Sequence, residues 1–114
     1  MLVNLNELSP RQLDAVLEYT LALAFVQGRF ISPCGDGSAT ANHWTTVPGH
    51  IMMLVEDYIH SLENPRLGEW SATADGHSAT ATTLGEAVVK AVLLSLGNGE
   101  VFVQIPDEAY QSHS

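Results

Sequence analysis

The chain has 114 residues, of which 46% are hydrophobic, and a formal net charge of −9 from four basic and thirteen acidic side chains. This length suits one domain with a buried core, and the hydrophobic content excludes wholesale disorder. The four basic residues are scattered at Arg11, Arg29, Arg66 and Lys90. Because nucleic-acid binding relies on clustered Lys and Arg, we expect no direct contact with DNA or RNA.

Membrane and export signals are not visible in the sequence. No run reaches the about 18–20 apolar residues that a membrane span needs. The N-terminus has no basic stretch followed by an apolar core, as a secretory signal would. The single cysteine, Cys34, excludes an internal disulfide. We therefore expect a cytoplasmic protein whose residues 1–114 form a single domain.

The first helix signal follows a short lead-in. Residues 3–5 alternate apolar and polar side chains and predict a brief edge strand. Ser9 and Gln12 then fit a capping box, with proline between them at the first helical position. The apolar spacing predicts a helix over 10–27, with Asp14 on its outer side.

Residues 32–46 have no regular pattern and predict a long loop. Loops of this length are uncommon in compact domains and are often functional. Trp44 either plugs the edge of the core or serves as the contact aromatic of a binding surface, next to His43. Cys34 with a histidine would form a nucleophile pair, although no local signature of a catalytic cysteine accompanies it.

A second amphipathic pattern begins with Pro48 at the first helical position. Its apolar residues repeat at helical spacing as far as Leu62 and predict a helix over 48–62. Met52 and Met53 flank the apolar stripe and are expected to fill the core.

The next stretch, residues 69–82, predicts a β-hairpin. Asp75 and Gly76 tolerate the positive φ values of a type I′ turn, so Ala74 should face His77. Side chains alternate across a strand, which divides the hairpin into an apolar and a polar face. The apolar face carries Trp70, Ala72, Ala74, His77, Ala79 and Ala81.

A third helix over 83–96 follows directly. Thr83 and Glu86 fit a capping box, and Gly97 ends the helix. Its apolar residues cover more than one face, so we expect burial by the sheet and by other helices or a partner subunit. Residues 100–105 alternate as a strand, and a right-handed crossover would place this strand parallel to the second hairpin strand.

These elements together predict an α+β domain. Three helices should pack on one face of a three-stranded sheet that contains the hairpin 69–82. Residues 107–114 follow the last predicted strand and are expected to form a frayed tail.

The histidines do not predict a metal centre. They are His43, His50, His60, His77 and His113. None lies four residues from another, and Cys34 with His43 and His50 has the spacing of no zinc module. Gly35 and Gly37 precede no helix with phosphate-loop spacing. We therefore expect no metal and no cofactor, and folding should need no ion.

Short motifs along the chain resemble the NinX-like proteins, a family of small uncharacterised phage and prophage proteins. The motifs are Leu8-Ser9, Leu13-Asp14, Trp44 ahead of Pro48-Gly49-His50-Ile51, Thr83-Leu84, Ala87-Val88, Ala91-Val92, Leu96-Gly97, Glu100-Val101 and Ile105-Pro106-Asp107-Glu108. The sequence departs from the family pattern at His43, where an aspartate is common, and at Pro48-Gly49, which reverses the usual order. The resemblance implies a phage-related origin and carries no mechanism.

The function expected from these features is that of a non-enzymatic accessory protein that binds another protein. The alternatives are an acidic nucleic-acid mimic that occupies a DNA-binding protein, and a small enzyme that uses Cys34. Helix 83–96 has few polar residues, so part of it, or the open edge of the sheet, should contact a partner or a second copy in a homodimer. The candidate partner-binding residues are His43, Trp44, Lys90 and Ser95.

Overall fold

The computed structural model describes residues 2–10, 12–14, 16–17, 20 and 44–104, and in these the predicted α+β class is confirmed. A three-stranded sheet in the order β2-β3-β4 and a two-stranded sheet of β1 and β5 are both antiparallel. The strands are β1 Leu2–Asn4, β2 Ile59–Arg66, β3 Glu69–Ala74, β4 His77–Ala81 and β5 Phe102–Gln104. The helices are α1, helical at each described position from 10 to 20, α2 Pro48–Tyr58 and α3 Leu84–Leu96, with a 3₁₀ turn at Leu5–Glu7.

The predicted hairpin and its register are confirmed. Asp75 and Gly76 have φ values of 48° and 81°, as a type I′ turn requires. Ala74 pairs with His77, and every pair that follows along β3 and β4 keeps the same register. On the apolar face Ala72, Ala74 and Ala79 are buried, and β3 and β4 pack against α3. On the other face the hydroxyls of Thr73 and Ser78 lie 2.8 Å apart.

The second helix is shorter than the predicted 48–62. It ends at Tyr58, and the chain continues directly into β2, so the predicted last turn of the helix is wrong. The reason lies in β3, where Ser71 and Thr73 direct their backbone groups away from β4 and need partners on the other side. Residues from Ile59 onward supply those partners, and this pairing outweighs their helical spacing.

The predicted position of strand 100–105 is also wrong. Residues Phe102–Gln104 do form a strand, but it pairs antiparallel with β1 in the second sheet. The chain turns sharply after α3, with Asn98 at φ 55° and Gly99 at φ 90°, and residues Phe102–Gln104 then pair with β1 rather than with β4. The third strand of the main sheet is therefore β2, and β4 is an edge strand among the described residues.

The capping box of α1 is confirmed in both directions. The N–H of Gln12 donates to the Ser9 hydroxyl at 3.3 Å, and the N–H of Ser9 donates to the Gln12 side chain at 2.9 Å. The outward placement of Asp14 is wrong, because Asp14 is only 1% exposed. Its carboxylate accepts a hydrogen bond from the N–H of Thr45 at 2.9 Å. The two residues are 31 positions apart in the chain, so helical spacing gives no sign of this contact.

Helix α3 is buried along most of its length, and no residue of it is fully exposed. At its start, the N–H of Glu86 donates to the Thr83 hydroxyl at 3.3 Å. Gly85 lies directly against the main chain of Thr45, where a Cβ atom would overlap the Thr45 carbonyl. The turn at 44–46 is thus held between α1 and α3.

The core is one cluster that joins all the described layers. Its buried hydrophobic members are Val3, Leu5, Leu8, Leu13, Val16, Leu17, Trp44, Ile51, Leu54, Ala72, Ala74, Ala79, Ala87, Val88, Val89, Ala91, Val92 and Leu93. Met52 and Met53 do not fill it as predicted, since they are 51% and 53% exposed on the outer side of α2. Within the described residues, no helix has the length and apolar character needed to cross a membrane.

Several predictions from the sequence lie outside the described residues. They concern residues 21–27 of the predicted first helix, residues 32–43 of the predicted loop 32–46, and the predicted tail at 107–114.

Candidate functional site

A cavity of about 330 Å³ lies beside the edge of β4 at which no described strand pairs. This volume is at the lower end of the roughly 300–1,000 Å³ usual for ligand sites. One wall comes from β4, a second from α3, and a third from the 3₁₀ turn and the residue before β5. The lining residues are Leu5, Asn6, Ser78, Ala79, Thr80, Lys90, Leu94 and Val101. The cavity therefore lies between the two sheets, on the side of β4 where a further strand would pair.

The hairpin register determines which backbone groups of β4 face this side. In a type I′ turn the carbonyl of the first residue accepts the N–H of the fourth, so Ala74 and His77 form a hydrogen-bonded pair. Such pairs alternate with non-hydrogen-bonded pairs along an antiparallel ladder. Ser78 and Thr80 consequently direct their N–H and C=O groups away from β3. These two residues are also lining residues of the cavity, so it borders outward-facing backbone donors and acceptors.

The two edges of the main sheet differ in their protection against strand pairing. β2 has register shifts at two places, contains Pro65, and carries the charges of Glu63 and Arg66. Bulges, proline and charge are the usual means of preventing association at an edge. β4 pairs without a shift and contains no Asp, Glu, Lys, Arg or Pro. Of these two edges, the one that borders the cavity is regular and uncharged.

Lys90 is the one charged residue among those that line the cavity. It is half-buried on α3, at the position that faces the edge of β4. Within the part of the chain that the structure describes, no carboxylate forms an ion pair with it, whereas Arg66 pairs with Glu69 at 3.3 Å. The cavity is thus bordered by one cationic residue and by the outward-facing backbone groups of a strand that is at the edge among the described residues.

Of the four candidate residues from the sequence, only Lys90 reaches this cavity. Trp44 is 6% exposed and belongs to the core, as expected if it plugs the edge of the core. Its ring centroid lies 5.5 Å from that of His50. Ser95 donates its hydroxyl to the Val92 carbonyl at 2.9 Å. His43 lies outside the described residues, as does Cys34.

The described residues contain no group of three His, Cys, Asp or Glu side chains arranged to hold a metal ion. His50 has a buried Nδ1 atom without a hydrogen-bond partner among them. Its suggested co-ligands, Cys34 and His43, lie outside the described residues, so the structure places no ligand set around it.

The sequence reasoning missed the contributions of Asn6, Ser78 and Thr80 to the site. Alternation along the hairpin places the side chains of Ser78 and Thr80 on its polar face, but it says nothing by itself about their backbone groups. The available signal was the register itself, because the Asp75-Gly76 turn already determines which backbone groups point outward. The outward backbone groups of Ser78 and Thr80 were not recognised as available, because strand 100–105 was expected to pair with them.

Comparison with protein family models, with curated proteins and with solved structures gives no match to this chain.

Proposed function

We propose that this protein acts by binding another protein, and that it does so without catalysing a reaction. The bound part is an extended segment that adds to the sheet as a strand beside β4. The observation that carries this proposal is the regular, uncharged edge of β4 next to a cavity.

Strand addition uses main-chain hydrogen bonds for affinity and pockets beside the strand for specificity. Ser78 and Thr80 provide the outward backbone groups, and the cavity provides room for a side chain of the added segment. The contrast with β2 supports the same assignment, because an unprotected edge is a liability unless it is used.

The resemblance to the NinX-like proteins supports a narrower proposal about origin. We propose on that basis alone that the chain is phage-related and that its partner is a protein present during phage growth or in a lysogen.

The test uses random heptapeptides displayed on filamentous phage, selected against the purified protein. Selected peptides are then synthesised and their affinities measured for the wild type and two proline variants. Thr80→Pro removes an outward N–H at the proposed edge. Leu62→Pro is the matched control on β2. Leu62 pairs with Ala72, whose backbone groups bond Ala79 in β4, so the Leu62 N–H also points away from β3.

We expect Thr80→Pro to weaken peptide binding at least about tenfold, which is about 1.4 kcal/mol. Leu62→Pro should leave the affinity unchanged. Thermal melting of both variants checks that they fold. A second measurement needs no variant: peptide binding should slow amide hydrogen exchange at Ser78 and Thr80. Failure to select any peptide, or binding that leaves both amides unprotected, would contradict strand addition.

A further inference from the structure

We infer that the segment bound at β4 carries one acidic side chain, which pairs with Lys90. This inference rests on the proposed strand addition and specifies the chemistry of the bound segment.

The position of Lys90 brings it within reach of the added strand. It lines the same cavity as Ser78 and Thr80, so a side chain of the added strand that enters the cavity comes close to Lys90. The lysine is half-buried, and a partly desolvated ion pair is screened less than one on the open surface. We therefore expect this cavity to bind a segment with a carboxylate more tightly than the same segment with a neutral side chain at that position.

Lys90 also has no competing partner within the described residues. No described carboxylate pairs with it, and the other residues that line the cavity are uncharged. Asn6 also lines the cavity, and an asparagine side chain is able to donate to a carboxylate oxygen. The bound acidic group would thus have a cationic residue and a neutral polar residue beside it.

The charge of the whole chain limits how acidic the segment can be. The net charge is −9, so a run of acidic residues would be repelled by the rest of the protein. A single carboxylate beside Lys90 gains a local contact, whereas additional carboxylates outside the cavity have no such partner there. The preferred segment is a strand of neutral residues with one Asp or Glu.

A second copy of this chain fits the pocket less well. Its own β4 reads His-Ser-Ala-Thr-Ala and would bring no carboxylate to Lys90. Pairing of two such edges about a two-fold axis would also bring two lysine-lined cavities to one interface. The site is therefore better matched to a different protein than to a homodimer.

The experiment uses the peptides selected against the wild type. We expect them to share one Asp or Glu at a constant place within an alternating strand pattern. Replacing that Glu by Gln, or Asp by Asn, should weaken binding at least about tenfold, and so should Lys90→Met. Combined, the two changes should cost little more than either one alone, since both remove the same ion pair.

Two variants control for charge and structure. Arg66→Met removes the same positive charge from the opposite edge of the sheet, where Arg66 pairs with Glu69, and should not change the affinity. Lys90→Arg keeps the charge and should retain binding, even if Lys90→Met proves unstable.

The outcomes separate the two proposals. Peptides that bind in a Thr80-dependent manner but share no acidic position would overturn the role of Lys90 and leave strand addition standing. Equal binding to the wild type and a folded Lys90→Met variant would do the same. If no peptide binds at the edge of β4, both proposals fail.

Discussion

Gly85 offers the sharpest test of the packing, because local and tertiary reasoning predict opposite signs for its replacement by alanine. It is the second residue of α3, where alanine normally favours the helix by about 0.4–1 kcal/mol. In the folded protein, however, a Cβ atom at this position would overlap the carbonyl of Thr45. The overlap concerns main chain, which cannot rotate away as a side chain can.

Thr45 is also held from the other side. Its N–H donates to the buried carboxylate of Asp14 at 2.9 Å, and its hydroxyl lies 3.4 Å from the Pro10 carbonyl. Overpacking costs about 1–3 kcal/mol, and weakening a charged hydrogen bond loses part of the about 1.5–3 kcal/mol that it contributes. We expect Gly85→Ala to lower the free energy of unfolding by about 2 kcal/mol or more, after the gain in helix propensity.

Urea unfolding and thermal melting both measure this change. At roughly 4 °C per kcal/mol for a domain of this size, the melting temperature should fall by about 8 °C. Gly49→Ala is the matched control, since Gly49 is the second residue of α2 and a Cβ atom added to it would meet nothing within 4 Å. That variant should be as stable as the wild type or slightly more stable.

A Gly85→Ala variant as stable as the wild type would refute this account of the packing. A second check uses Asp14→Ala as a background, in which Thr45 has lost one of its restraints. The penalty of Gly85→Ala should be smaller there, because residues that share a contact are not additive.

Other predictions concern the turn, the buried acid, a tyrosine and metal ions. Gly76→Val should lower the unfolding free energy by about 1 kcal/mol or more, because Gly76 has φ 81° and a β-branched residue resists that conformation; an unchanged urea midpoint would contradict it. Asp14→Ala should cost about 1–3 kcal/mol by removing the acceptor of the buried Thr45 N–H, as measured by urea unfolding. Burial, and to a smaller extent the charge of Asp57, raises the pKa of Tyr58 above its ordinary value. Ultraviolet titration should therefore find one tyrosine that ionises at higher pH than the others, and this step should be absent in Tyr58→Phe. Because the Tyr58 pKa is higher in the folded state, the stability associated with its protonated form is fully present below the unfolded pKa, and it is lost as pH rises through the folded pKa. Melting curves with and without a strong chelator should coincide.

Local signals in the sequence determined those parts of the fold in which a residue's neighbours along the chain decide its conformation. Asp75-Gly76 specified the hairpin and its register, because few residues tolerate positive φ at both central positions. Ser9 and Gln12 specified the start of α1 through contacts three residues apart. The apolar face of the hairpin followed from alternation, and the buried alanines of β3 confirm it.

Other features depend on residues far apart in the chain, and the sequence alone did not determine them. The pattern from Ile59 to Leu62 satisfies helical spacing, yet these residues join β2, because β3 needs a second partner for its backbone groups. Likewise, strand 102–104 alternates correctly, but alternation does not identify its neighbour, and it pairs with β1. Asp14 is buried because Thr45 offers a backbone donor from across the fold.

The candidate site arises from the same distinction. The sequence already determined which backbone groups of β4 point outward, through the hairpin register. Only the tertiary structure decided that no described strand pairs with them and that Lys90 lines the adjoining cavity. The physical reason is that a strand's hydrogen-bonding direction is a local property, whereas the identity of its partner is set by competition among all the segments that can reach it.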